Sequence, residues 1–495
     1  MDHKPTKEQE RIYHFVKNRP ENLLIEARAG AGKTTVLLEI LKLLPSDKQI
    51  TFLAFNKHIA EELKDRIPAH VRCYTSHGLG LSGIKRKYGN KIVFDEFKAD
   101  HIINKKSKGW KLSDDINEDF EQMAYLSNMK KMINLCKLTL TTDPNYFGYI
   151  ADRYDLKYNE KTDKKRILSV MEYMMNDKET YDFTDMVFLP AIDKNIWLFP
   201  QDYVLVDESQ DLNFAQQRIV EKMLKKDKLS GKITGRLIVV GDFFQSIYGF
   251  TGVHEKTFEW FRSFPNMKAL PLATTFRCAK NIVLEANRLV PDIKALDSAP
   301  DGVVREGSIL DEAESGDFVL CRTTMPLVKL FFHFLLQKKK AVIKGSDIGL
   351  SLIEMIGTNK TIDALKTHWE KEMADFRADM RKKGILNFDE HSGYVAMSDK
   401  ANTLIFLCRI ASSIPDLKQK IGEIFTDELV GIVLSTVHKS KGLEANRVFI
   451  ARPDLLPMRA KKAWQVAQER NLEYVAITRA RHELIYDNVW TDEPK

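Results

Sequence analysis

The sequence predicts an α/β fold built on parallel sheets, with two helical segments set into it. Three observations carry this expectation. Short, continuous apolar runs recur along the chain, and each leads into polar residues. Helical patterns lie between most of them. Two stretches, about 79–185 and 346–425, lack such runs and are amphipathic and highly charged. Strands that are apolar throughout are covered on both faces, as when crossover helices pack on each side of a parallel sheet. Ligands of such sheets sit at the carboxyl ends of the strands.

Composition frames the rest. The 495 residues are enough for about three or four structural units. Apolar residues make up 44% and charged residues 29%, which suits large globular cores. The 76 basic against 69 acidic residues leave +7, which permits a polyanionic partner without demanding one. Three basic groups stand out: Lys105, Lys106, Lys108 and Lys111 about Trp110; Lys338, Lys339, Lys340 and Lys344; and Arg459, Lys461 and Lys462. Each taken alone reads first as a solvated face. Cys73, Cys136, Cys278, Cys321 and Cys408 are far apart, with no metal-ligand spacing. No zinc or iron–sulfur site is expected, and a reducing, intracellular setting is. The opening MDHKPTKEQER lacks the apolar core of a signal peptide. The most apolar helix candidate, 327–336, is broken by Lys329 and His333 and is too short to span a bilayer.

In chain order, the first run is LLIEA (23–27), followed by RAGAGKT and an apolar helix. Strand, glycine-rich turn and helix are the parts of a phosphate-binding loop, whose usual pattern is G-x-x-x-x-G-K-[ST]. Ala27 stands in place of the first glycine. At a strand end, with negative φ, a small residue suffices there. Backbone N–H groups of Ala29, Gly30, Ala31 and Gly32 would face phosphate oxygens, helped by the helix dipole. Lys33 would reach the β- and γ-phosphates, and Thr34 would hold Mg²⁺ beside Thr35.

QITFLAF (49–55) is the next run. DYVLVDE (202–208) then delivers Asp207 and Glu208. In phosphate-loop hydrolases an acid after an apolar strand holds the metal, and a neighbouring carboxylate can take a proton from water. GRLIVVGD (235–242) leads to Gln245, an amide suited to orienting water, and to Tyr248 and Phe250 at alternate positions. These two aromatics fit base stacking and core packing equally well. GDFVLC (316–321), GIVLST (431–436) and RVFIA (447–451) form a second set of strands.

The ordered segments together resemble the superfamily 1 DNA helicases of the UvrD/Rep/PcrA type, over most of the chain outside the helical stretches. PTKEQERIYHFV resembles the family's adenine-reading segment, which implies Gln9 on the base. ARAGAGKT is similar to its phosphate loop, where alanine is common at the first position. VDESQD and GDFFQSIYGFTG match its acidic and glutamine-aromatic boxes. TTFRCAKNIVLEAN implies Phe276 on adenine and Arg277 on the γ-phosphate. STVHKSKGLEANRVFI implies DNA contacts from Thr436 and His438 and a ribose contact from Glu444. ERNLEYVAITRARHELI implies a second γ-phosphate arginine, Arg479. Phe55, Asn56, Lys57, Thr75 and His77 fall where the family touches DNA. Some departures occur: Thr35 replaces a frequent arginine, and Thr75-Ser76-His77 lacks the usual aromatic. AFNKHIAEEL looks closer to the F-box DNA helicase branch and phage relatives.

The resemblance implies two RecA-like domains: 1–78 with 186–278, and 279–345 with 426–495. Residues 79–185 and 346–425 would be helical insertions, the second shorter than in large members. The catalytic residues would be Lys33, Asp207, Glu208, Gln245, Arg277 and Arg479, with Mg²⁺ on Thr34 and Asp207. ATP hydrolysis would drive 3′-to-5′ movement on single-stranded DNA and opening of tailed duplexes. The alternative is an ATP-driven DNA-binding subunit of a larger repair, recombination or defence complex that does not unwind alone.

Overall fold

The computed structural model describes residues 4–110, 120–382, 384, 386–388 and 391–490. The chain divides into two compact units, Met1–Ala27 with Gly32–Leu272, and Arg28–Ala31 with Ala273–Lys495.

In the first unit the strands are β1 (Asn22–Ala27), β2 (Ile50–Ala54), β3 (Val71–Thr75), β4 (Val93–Phe94), β5 (Thr180–Tyr181), β6 (Tyr203–Val206), β7 (Arg236–Gly241) and β8 (Met267–Leu272). Six of them form one sheet in the order β3-β2-β6-β7-β1-β8, and every neighbouring pair is parallel. The apolar runs at 23–27, 49–55, 202–208 and 235–242 supply its four central strands. One face packs on a core that includes Leu24, Leu53, Val206, Val239, Ile219 and Phe261. The edge strands β3 and β8 did not stand out in the sequence. β8 exposes Lys268, Ala269 and Pro271, and β3 exposes Arg72 and only half-buries the three residues after it, because an edge is not covered on both faces.

Between β3 and β6 lies the first helical stretch, with helices Ser76–Tyr88, Lys98–Ser107, Phe120–Leu138, Phe147–Arg153, Glu160–Asn176 and Phe183–Ile192. The last begins with a reciprocal capping box between Asp182 and Asp185. Both carboxylates are buried, and two buried lysines answer them. Lys98 Nζ donates to Asp185 at 2.8 Å and to the carbonyls of Thr180 and Met174 at 2.6 and 3.2 Å. Lys137 Nζ lies 2.6 Å from Asp185 and 3.1 Å from Asp182. Burial alone would raise the Asp182 pKa, but Lys137 and the capping hydrogen bonds hold it below the usual range. Charges this deep are tolerated only when paired and hydrogen-bonded.

The second unit adds β9 (Thr274–Thr275), β10 (Lys294–Ala295), β11 (Val303–Glu306), β12 (Phe318–Cys321), β13 (Ala341–Lys344), β14 (Phe425–Thr426), β15 (Ile432–Thr436), β16 (Ala445–Ala451) and β17 (Ala480–Asp487). Seven form an all-parallel sheet ordered β11-β17-β16-β12-β15-β13-β14. The runs at 316–321, 431–436 and 447–451 become its three central strands. The second helical stretch, between β13 and β14, comprises Ser346–Glu354, Ile362–Lys382, Ser392–Leu407 and Ile414–Ile424. Its Asp399 accepts from the backbone N–H groups of Thr324 and Met325, each at 2.9 Å, and so caps the Met325–Leu336 helix.

The first two basic groups partly dissolve into local structure. Lys105 and Lys106 bond to Tyr173 and Ser169, Lys339 bonds the carbonyls of Leu310 and Ala313, and Lys344 faces Asp427; Lys111 lies outside the described residues. The five cysteines are free thiols. Among the described residues no helix is long and apolar enough to cross a membrane.

Lys137→Met should leave Asp182 and Asp185 without a main counter-charge. Removal of one partner from a buried ion network costs about 3–5 kcal/mol. Urea unfolding of the first unit, followed by far-ultraviolet circular dichroism, should show a loss of this size, against almost none for the exposed Lys57→Met.

Candidate functional site

Strand order builds the first part of the site. Because β6, β7 and β1 are neighbours and all parallel, the segments leaving their carboxyl ends emerge side by side. From β1 the chain enters the phosphate loop, where Gly30 and Gly32 take left-handed φ of 70° and 78°. A side chain at Gly30 would collide with Thr275 Oγ1 and Arg277 Cβ, so glycine is required there on both counts. Gly32 precedes the Lys33–Leu43 helix. From β6 come Asp207 and Glu208, and from β7 come Asp242 and Gln245.

These groups meet. Lys33 Nζ lies 2.9 Å from Glu208 Oε1. Thr34 Oγ1 donates to Asp207 Oδ2 at 2.6 Å. Gln245 Nε2 donates to the fully buried Asp242 at 2.6 Å. Burial lowers the pKa of Lys33, but Glu208, Asp242 and Asp207 outweigh it and hold the ammonium above its usual range. Burial and the Glu208 charge push the Asp207 carboxyl up to about 6. Glu208 itself sits at φ 49°, a left-handed conformation that a non-glycine residue adopts at a cost of about 1–3 kcal/mol. Asp242 was not among the predicted site residues, although it follows an apolar strand as Asp207 does. Thr34 and Asp207 offer the hard oxygen donors that Mg²⁺ prefers. Among the described residues no cluster of three or more His, Cys, Asp or Glu could hold a metal. Such a donor set suits a cation that takes its remaining ligands from phosphate and water.

Gln9 closes a capping box with Thr6, its Oε1 accepting from Thr6 N at 3.0 Å. A methyl group added to Gly32 would lie 4.0 Å from its Nε2, so the amide faces the loop. Thr35 is exposed on the helix beyond.

In the second unit the predicted nucleotide residues break the strand-end rule. Glu444 and Arg479 come immediately before β16 and β17, at strand starts, and Ala445 pairs with Ala480. Arg277 follows the short β9, and its Nε donates to Glu444. Arg481, another residue absent from the predicted set, bonds the other Glu444 oxygen. Burial raises the Glu444 pKa, but Arg277 and Arg481 together bring it below the usual carboxylate range. Arg479 is 1% exposed. It donates to the carbonyls of Val475 and Leu443 at 2.9 and 3.0 Å. Burial and the Arg277 charge push its pKa down to about 9, which leaves it charged at neutral pH. Phe276 is 37% exposed, and its N–H donates to the Gly30 carbonyl at 2.9 Å. The Tyr474 hydroxyl accepts from Ala29 N–H at 3.0 Å, and Arg28 makes a paired contact with Asp292. Ala31 is buried in the same turn.

The predicted DNA contacts form two sets. In the first unit, Phe55 and Tyr248 lie nearly parallel with centroids 6.1 Å apart, and Phe250 meets Tyr248 edge-on at 6.1 Å. Phe250 is 48% exposed, which separates it from core packing. Asn56 caps the Lys57–Lys64 helix, and Lys57 is exposed at its start. Thr75 caps the next helix, and His77 meets Phe183 edge-on. In the second unit, Thr436 ends β15, beside Cys321 of β12. Burial and the charges of Arg322, Lys439 and Lys441 push His438 down to about 3, so it is neutral at pH 7.

Residues 6–265 match the model of the UvrD/REP helicase N-terminal domain, and 343–488 match the UvrD-like helicase C-terminal domain. The chain belongs to the UvrD/REP helicase family. The F-box DNA helicase protein 1 of Schizosaccharomyces pombe is 25% identical over 98% of this chain and 58% of its own length. The ATP-dependent DNA helicase Rep of Buchnera aphidicola subsp. Baizongia pistaciae is 28% identical over 54% of this chain and 40% of its own. The ATP-dependent DNA helicase UvrD1 of Mycobacterium tuberculosis is 25% identical over 60% and 40%. The chain thus spans well under two thirds of these relatives' lengths.

Replacing Tyr474 by Phe should leave the buried Ala29 N–H without its hydroxyl acceptor. A buried donor deprived of its partner costs about 1–3 kcal/mol. Differential scanning calorimetry should record the loss as a lower unfolding midpoint for Tyr474→Phe.

Proposed function

We propose that this protein is an ATP-dependent helicase that moves 3′ to 5′ on single-stranded DNA. The observation that carries the reading is the carboxyl edge of β6-β7-β1, where Lys33, Thr34, Asp207, Glu208, Asp242 and Gln245 converge. We place the RecA-like domains at 1–78 with 186–278 and at 279–345 with 426–495, and the helical insertions at 79–185 and 346–425.

In this reading Lys33 and the loop amides bind the phosphates of ATP, except those of Ala29 and Ala31, which donate to Tyr474 and to the Arg28 carbonyl. Thr34 and Asp207 hold Mg²⁺, which neutralises charge on those phosphates when bound. Glu208 accepts a proton from the attacking water, and Gln245 orients it. Gln9 and Phe276 read the adenine, and Glu444 the ribose. Arg277 and Arg479 supply fixed forks for charge on the γ-phosphate. Phe55, Tyr248 and Phe250 offer rings to successive bases, with Asn56, Lys57, Thr75, His77, Thr436 and His438 along the strand. Alternating affinity for ATP and its products then drives movement.

Glu208→Gln should bind ATP yet hydrolyse it about 10²–10⁴-fold more slowly, the usual contribution of a general base; normal single-turnover rates would sink the assignment. Alanine at Tyr248 or Phe250 should cost roughly 1–3 kcal/mol of affinity for oligo(dT), measured by anisotropy, with basal ATPase intact. Unchanged affinity in both variants would return the rings to a packing role. The decisive test is ATPase activity with and without single-stranded DNA, paired with opening of 3′- and 5′-tailed duplexes. Opening from the 5′ tail overturns the polarity. DNA-stimulated hydrolysis without any opening favours a DNA-binding subunit.

A further inference from the structure

The strand-start end of the first sheet carries a cluster that this chemistry does not use. Trp197 and Phe199, in the connection leading to β6, are 53% and 42% exposed. Their rings meet edge-on with centroids 4.5 Å apart. Two guanidiniums lie against Phe199: Arg86 at 4.5 Å from the ring centroid and Arg72 at 5.7 Å. The cluster is held in place. Arg86 donates to the Trp197 carbonyl at 3.0 Å, and Gln201 Nε2 to the Phe199 carbonyl at 2.8 Å.

The charge around this ring is unbalanced. Among the described residues neither Arg72 nor Arg86 ion-pairs with a carboxylate. Burial and the like charge of Arg72 lower the pKa of Arg86. The flanking lysines differ, because Lys87 is paired with Asp193 at 2.5 Å and Lys225 with Asp202 at 2.8 Å. These two lysines are therefore balanced by carboxylates, whereas the two guanidiniums on the phenyl ring are not.

We propose that Arg72, Arg86, Trp197 and Phe199 dock a short acidic segment of a partner protein that also carries an aromatic or large apolar side chain. A carboxylate fits between the two forks and relieves their repulsion, since guanidinium recognises carboxylate in a planar, bidentate way. The apolar side chain covers Trp197. Trp and Arg are the residues that dominate the energetic centres of protein interfaces. Nucleic acid fits less well. Phe199 is already stacked by arginine, and Asp193 and Asp202 stand on the rim, against a backbone that bears a charge about every 3.4 Å. Arg86 also lies ten residues along its helix from Ser76, about 15 Å from the end where Thr75 and His77 sit.

The test uses the full chain and a fluorescein-labelled octapeptide, Asp-Glu-Asp-Phe-Asp-Glu-Leu-Asp, followed by anisotropy at low and moderate salt. A peptide with lysine at each acidic position and a ten-nucleotide oligo(dT) serve as the other probes. The acidic peptide should bind, more weakly as salt rises. Trp197→Ala and the pair Arg72→Gln with Arg86→Gln should each weaken it by about tenfold or more. Arg86→Lys should fall between, having charge without the stacking fork. Thermal unfolding and ATP hydrolysis should be unaltered in all of them, since these side chains are exposed and outside the hydrolytic site. Failure of the acidic peptide to bind, equal binding of the lysine peptide, or unchanged affinity in the variants overturns the proposal. Loss of oligo(dT) affinity in the same variants would also overturn it and assign the cluster to nucleic acid.

Discussion

The first unit is organised around one electrostatic constraint, a lysine held among three carboxylates. Lys33, Asp207, Glu208 and Asp242 come from three different segments, and they meet because β1, β7 and β6 are neighbours in a parallel sheet. Burial raises the cost of ionising Asp207, and the neighbouring Glu208 charge adds to it. Asp207 consequently sits near 6 while Lys33 is held firmly charged. Both pKa values are raised, which favours the neutral carboxyl and the charged ammonium; such shifts, produced by desolvation and specific neighbours, mark sites that handle charge rather than ordinary strand ends. The left-handed backbone at Glu208 belongs to the same arrangement, since it sets where the second carboxylate stands.

The helical stretch between β3 and β6 depends on charge in a different way. Lys98 and Lys137 reach inward to Asp182 and Asp185 at the start of the Phe183–Ile192 helix. That start presents Phe183 to His77, in the first turn of the helix after β3. The buried pairs thus fix the helices of this stretch against one another. An apolar core of equal size would hold it without specifying one position so sharply, because hydrophobic contact has no direction.

In the second unit, position is decided by which end of a strand a residue occupies. Thr436 is the last residue of β15, whereas Glu444 and Arg479 precede β16 and β17. These residues therefore lie at opposite strand ends of one sheet. Glu444 between Arg277 and Arg481 keeps the guanidiniums ordered, and the carbonyls around Arg479 fix its fork. Arginine tolerates this burial because its charge is delocalised and persistent.

The sequence by itself determined the central strands, the phosphate loop, the acid pair, the arginine motifs and the family. These signals are local: a strand covered on both faces is apolar throughout, and a phosphate loop is read within a dozen residues. It also marked Tyr248 and Phe250, but spacing alone left stacking and packing equal; the fold leaves Phe250 exposed and Tyr248 half-buried. The edge strands β3 and β8 were not legible, since one open face removes the continuous apolar signal. Asp242, Arg481 and Tyr474 each required the fold, because a residue's partners across some 30 to 450 positions of chain are set by strand order and not by neighbours in sequence. The pairing of Lys98 and Lys137 with the aspartates was likewise decided in three dimensions, where these residues of an amphipathic, highly charged stretch form its interior.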